Sequence, residues 1–171
     1  MVAIKYKDFI LQLIERACCI VSYIYPILEI NYYWAANVCL GSTPELALFY
    51  HRVLKKLALL YSENALLIFT SMLVIFLVCS RGTLRLSKFL RFNVIQAILI
   101  TIICTIINST FTVLPPIILQ GFIGAIFSKF FFFGTIFLIL FNIGHIIVGR
   151  YPRIPVLSEA AKLQVQRDLN F

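Results

Sequence analysis

The chain has 171 residues, 61% of them hydrophobic and only 13% charged, with a formal net charge of +8. Soluble domains carry about 25% charged residues, so these proportions, with a mean hydropathy of +0.97, exclude a soluble fold. The length admits about four spanning helices of roughly 20 residues each and no separate soluble domain, and the excess of cations points to anionic lipid headgroups and subunit surfaces rather than nucleic acid.

Residues 5–16 alternate charged and apolar side chains and predict an amphipathic helix start along the membrane surface. A first span follows at about 17–39, with Pro26 expected to kink it and Glu29 well inside. Glu29 has two open placements. From a start at Ala17 it lies about 18 Å along the helix and must face the bundle or water; from an earlier start it reaches headgroup water beside an aromatic belt of Tyr32, Tyr33 and Trp34.

Thr43, Pro44 and Glu45 form a helix start: a cap residue, a proline at the first helical position and an acid in the first turn. The helix they open puts Leu46, Phe49, Val53, Leu57 and Leu60 on one face and Glu45, Arg52, Lys55 and Lys56 on the other, the pattern of a helix lying in the interface plane. His51 belongs to its polar side. The second span, about 62–80, is short.

A basic hinge then carries Arg81, Arg85, Lys88 and Arg91 and no acid. These four are predicted to anchor the chain at the interface on the side from which it was inserted, since short cationic loops resist translocation. The third span, about 92–113, gathers Asn93, Gln96, Thr101, Cys104, Thr105 and Asn108 on one half of the helix and Ile95, Leu99, Ile102, Ile103 and Ile106 on the other, predicted to meet lipid. Such a polar face either bonds a neighbouring helix or lines a hydrated path. Pro115 and Pro116 stop the helix. After a short uncharged turn the fourth span, about 130–148, carries Thr135, Asn142, His145 and Gly149 as a second polar stripe, and the two helices are expected to be antiparallel neighbours. Glu29, Asn93, Gln96, Asn108, Asn142 and His145 are therefore the candidate polar-path or interhelical residues. The tail, 150–171, begins with a proline-broken linker and is expected to be solvated, with Ser158 capping a short helix through Gln166.

Cys18, Cys19, Cys39, Cys79 and Cys104 are scattered through apolar segments with no CxxC pair and no histidine at ligand spacing, so they read as small buried hydrophobes. No HExxH, GxSxG, paired aspartates or phosphate-binding loop is present, so neither an enzyme nor a metal or cofactor site is expected. The fold class expected is an all-α integral membrane protein: four transmembrane helices with an interfacial amphipathic helix between the first and second.

Three stretches, SYIYPILE at 22–29, LRFNVIQAIL at 90–99 and GRYPRIPVLSEAAKLQV at 149–165, in this order and spacing, resemble the 20-kilodalton subunit family of the translocon at the inner envelope membrane of chloroplasts. The most specific block comprises Arg91, Phe92, Asn93, Gln96, Ala97, Ile98 and Leu99; the second runs from Pro152 to Pro155. The resemblance implies a four-helix subunit of the complex that passes preproteins to the stroma, with other inner-envelope translocon subunits, the translocating preprotein and membrane lipids as partners. The N-terminus has no Ser- and Arg-rich transit sequence, a feature similar to plastid-encoded members of red-algal lineages. The alternatives are a small-solute transporter, which calls for paired broken helices around a fixed charge, and a purely structural scaffold. Lys and Arg are concentrated at the N-terminus, hinge and tail, so both termini are expected on one side, the stroma of a plastid.

Overall fold

The structure, a computed structural model, describes residues 2–40, 43–81, 86–115, 117, 121–154 and 157–166. Within these residues the protein is helical without strands, an all-α membrane protein. Three helical stretches, Ile10–Leu40, Lys88–Val113 and Phe122–Val148, are long and apolar enough to cross a bilayer, and there are up to four if the bent pair Pro44–Glu63 and Ala65–Arg81 is counted as one.

Helix α1 (Val2–Ser22) and helix α2 (Ile24–Leu40) are joined by a single turn residue, Tyr23. The break follows from Pro26: its ring nitrogen has no hydrogen to give the carbonyl of Ser22, and its ring crowds that carbonyl. No second break occurs at Ala17. Residues 10–16, part of the segment expected along the membrane surface, lie in the same helix as the apolar run that leads into α2.

Helix α3 (Pro44–Phe49) passes through a π-helical turn, Tyr50–Leu54, into helix α4 (Lys55–Glu63). Thr43 sits at the cap position in extended geometry without a side-chain capping bond, and proline stands at the start as the sequence indicates. At Asn64 the chain bends by 77° into helix α5 (Ala65–Arg81). At 1.5 Å per residue, the 17 residues of α5 extend about 25 Å, so α3 and α4 run across one end of a span and not along it.

Helix α6 (Lys88–Val113) is opened by Ser87, whose hydroxyl oxygen accepts the Leu90 amide at 3.1 Å. It ends at Leu114, before the prolines. Helix α7 (Phe122–Val148) begins eight residues earlier than the hydropathy pattern predicts, and Gly149 closes it at φ 75°. Amides of Gly149 and Arg150 bond back to Ile146 and His145, both at 2.9 Å, satisfying the last carbonyls of the helix. Helix α8 (Leu157–Gln166) completes the chain.

The centre of the bundle is shared by α2 and α6. Helix α6 packs against α1, α2, α5 and α8, while α2 also packs against α4 and α7. Two sequence expectations change as a result. Ile95, assigned to lipid, is 0% exposed because α6 has neighbours on several sides. The tail is not a solvated appendage: Ala161 and Val165 of α8 join Phe92, Val94, Ile95 and Ile98 in a second core cluster, leaving Glu159 and Lys162 outside.

Candidate functional site

The polar side chains inside the bundle arrange themselves about Glu29, which is 1% exposed. It lies one turn beyond Pro26 on α2. One carboxylate oxygen accepts the Asn108 amide of α6 at 3.2 Å, and the other accepts the hydroxyl of Tyr61 from α4. The Trp34 indole N–H donates to the Asn108 side-chain oxygen. These partners fix the orientation of Asn108, since a carboxylate needs a donor and an indole needs an acceptor. Among the described residues no cation pairs with Glu29, so hydroxyl and amide donors meet its charge.

A second attachment holds the transverse helix. Asn31, two residues beyond Glu29, donates its side-chain amide to the carbonyl of Leu54 at 2.8 Å, at the end of the π turn. Both attachments come from adjacent turns near the middle of α2, so the segment 44–63 is held against α2 at two points. Trp34 reinforces it with an aromatic cluster: its ring lies 4.8 Å from Phe111 and 5.4 Å from Phe131, and Phe111 stacks on Phe127 at 4.4 Å. Trp34 is therefore a core residue and not part of an aromatic belt, whereas Tyr32 remains exposed.

Further along α6, Gln96 donates to the side-chain oxygen of Asn142 on α7 at 3.2 Å, and Asn142 donates to the carbonyl of Leu138 at 2.7 Å. The helices otherwise stand apart, with α2 contacting both and an apolar cleft of about 200 Å³ between them, lined by Ile100, Cys104, Phe131 and Thr135 among others. Asn93 is fully buried, but its amide turns back to Phe89 of its own helix at 2.8 Å. His145 does the same, donating to Phe141 one turn back at 2.9 Å, and lies apart from the Gln96–Asn142 pair. Of the candidate residues, two groups come together, Glu29 with Asn108 and Gln96 with Asn142, while Asn93 and His145 bond locally. Thr105, counted with the polar half of α6, is exposed and bonds the Thr101 carbonyl at 3.0 Å.

The opposite end of the bundle carries most of the cations. Arg91 donates to the carbonyls of Cys79 at 2.6 Å and Ser80 at 3.1 Å, covering the end of α5. Arg16 donates to Ile147 at the end of α7 at 2.8 Å, Ser87 donates to Glu15, and Ser80 donates to Gln164 at 3.2 Å. The N-terminal helix, hinge and tail thus meet at one end. Arg81 and Lys88 are exposed there; Arg85 lies outside the described residues.

The residues that sequence reasoning missed are Tyr61, Trp34 and Asn31. A signal for Tyr61 existed in the burial of Glu29, because a carboxylate in hydrocarbon must find donors, but periodicity does not say from which helix they come.

The sequence profile described as "Chloroplast import apparatus Tic20-like" matches residues 12–161. A Tic20 family protein, Ycf60, of the red alga Cyanidioschyzon merolae is 34% identical over 152 residues, covering 89% of this chain and 76% of that protein. Ycf60 of Cyanidium caldarium is 28% identical over 93% of this chain and 77% of its own length, and a Tic20 family protein of the cyanobacterium Synechocystis is 31% identical over 84% and 89%.

Proposed function

The chain belongs to the Tic20 family, and from that premise we propose that it is a membrane subunit of the protein-import translocon of the plastid inner envelope, supporting the preprotein-conducting path within a larger assembly. The observation that carries this form of the proposal is the closure of the bundle interior. Glu29, Asn93, Gln96, Asn108 and Asn142 are all buried; the Glu29 carboxylate and the side-chain NH2 groups bond to each other, to Tyr61 or to backbone carbonyls, and Trp34 donates to Asn108, while the side-chain oxygens of Asn93 and Gln96 have no partner among the described residues. Interior polarity of this kind supports helix-to-helix bonding, so a path wide enough for a polypeptide is to be built from outer faces of this chain together with other inner-envelope subunits. The exposed aromatic face of α7, with Phe130, Phe133 and Phe137, is one such surface.

The basic end is assigned to the stroma, with both termini there. Arg16, Arg81, Lys88, Arg91, Arg150 and Arg153 of the described residues belong to that end, against Arg52, Lys55, Lys56 and Lys129 at the other.

Purification of the tagged chain from plastids carrying an arrested precursor tests the proposal. Co-purification with other envelope proteins is expected, as is crosslinking of the precursor from a photoreactive residue at Phe133 or Phe137. A lone homo-oligomer without precursor crosslinks refutes the translocon role, and removal of α8 by protease from the intermembrane side refutes the orientation.

A further inference from the structure

Lys129 and Arg150 bracket the apolar run 130–149 of α7, which extends about 30 Å at 1.5 Å per residue, the thickness of the hydrocarbon layer. Leu157, the first residue of α8, lines the cleft between α6 and α7 together with Ile100, Phe131, Gly134 and Leu138. Leu138 stands near the centre of the apolar run, and Ile100 is about 14 Å along α6 from Arg91. Helix α8 therefore begins near the middle of the layer. From there its 10 residues rise about 15 Å, with Ala161 and Val165 packed against Phe92, Ile95 and Ile98. The far end reaches the basic end, where Ser80 donates to Gln164 at 3.2 Å. Seven residues separate Arg150 from Leu157, a reach of up to about 23 Å, enough to bring the chain down from the end of α7. Ser158 holds the start of the helix, accepting the Ile154 amide at 2.7 Å and donating to the Pro152 carbonyl at 3.0 Å. The tail thus dips into the layer and returns to the side from which it came.

We propose that the outer face of α8 borders a water-filled vestibule, which opens at the basic end and reaches to about the middle of the membrane. The charges of the helix select water over lipid. Glu159 and Lys162 are exposed on the side turned away from the bundle and, among the described residues, have no hydrogen bond or ion pair. Side chains of a helix lean towards its N-terminus, which for α8 is the end in the middle of the layer. Both groups are therefore aimed away from the headgroups to which a long side chain would otherwise snorkel. Charges at such depth face a bundle interior or water, and these two do not face the interior. The inference rests on the depth and charge of α8 and is independent of any role in import.

Membranes holding the assembled protein, in a background lacking the five native cysteines, provide the test. A charged methanethiosulfonate, supplied to both faces, should modify Glu159→Cys and Lys162→Cys roughly tenfold faster than Ile102→Cys and Val74→Cys, because only a hydrated thiol ionises to the reactive thiolate. Ile102 and Val74 are exposed on α6 and α5 within the apolar layer and serve as lipid-facing references. Depth is measured separately. A short bismaleimide should join Leu157→Cys to Gly134→Cys, and an added Cβ at Gly134 meets open space. Because Glu159 and Lys162 are exposed, their variants leave the packing of α8 intact. Modification of both at the rate of the references overturns the vestibule, since lipid or a partner helix then covers the face. Failure of the crosslink overturns the depth, since fast modification would then mean only that α8 lies in bulk water at the membrane surface.

Discussion

Tyr61 donates its hydroxyl hydrogen to the carboxylate of Glu29, and this bond ties the transverse helix to the interior of the bundle. Between the two residues lie the second half of α2, helix α3, a π-helical kink and most of α4, yet the acid is buried, where an unpaired charge is costly. The other bond from the same segment, Asn31 to Leu54, is to a backbone carbonyl and therefore indifferent to the side chain at 54.

Tyr61→Phe should loosen the strap. The substitution keeps the ring and removes one of the two donors to a buried carboxylate, a loss of about 1–3 kcal/mol. Trypsin cleavage after Arg52, Lys55 or Lys56 in detergent should accelerate by an order of magnitude relative to cleavage in the tail. Cleavage at the original rate would show that packing of α4 on α2 holds the helix without the bond.

Gln96 and Asn142 should behave as structural partners. Single cysteines at these positions, in a background lacking the five native cysteines, should stay unreactive towards a membrane-impermeant thiol reagent with or without an arrested precursor. A double-mutant cycle to leucine should return a coupling of about 0.6 kcal/mol, the average for interhelical hydrogen bonds in membranes. Rapid labelling at either position, suppressed by precursor, would instead make them part of a hydrated path.

Arg91 holds the end of α5 through two carbonyls. Arg91→Ala should lower the unfolding midpoint in detergent, with a cost of about 1.5–3 kcal/mol for charged hydrogen bonds. Lysine should recover only part, because an ammonium lacks the planar fork that reaches Cys79 and Ser80 together. Full recovery by lysine would reduce the role to charge alone.

Gly149→Ala should destabilise the junction of α7 with α1. Its φ of 75° costs an L-residue about 1–2 kcal/mol, and a Cβ there would sit 2.8 Å from the Arg16 guanidinium, which must then move. Pairing it with Arg16→Ala should relieve the steric part but not the backbone strain. An unaffected melting temperature for Gly149→Ala would show that the terminal turn relaxes freely.

Much of this architecture is determined by local chemistry, which the sequence displays directly. Hydropathy marks the spans, proline fixes the break before α2, the start of α3 and the end of α6, and the amphipathic pattern of 44–63 marks a helix that cannot bury itself lengthwise. Periodicity also separates the buried Asn93, Gln96 and Asn108 from the exposed Ile102, Ile103 and Ile106. What it does not contain is the number of neighbours that each helix has. Ile95 is covered, and the polar tail helix docked, because α6 is surrounded by α1, α2, α5 and α8. For the same reason the sequence allows Glu29 two placements. A carboxylate in an apolar segment must find donors, but which helix supplies them depends on how Tyr61 and Asn108 are carried to it, and that is decided only when the helices pack.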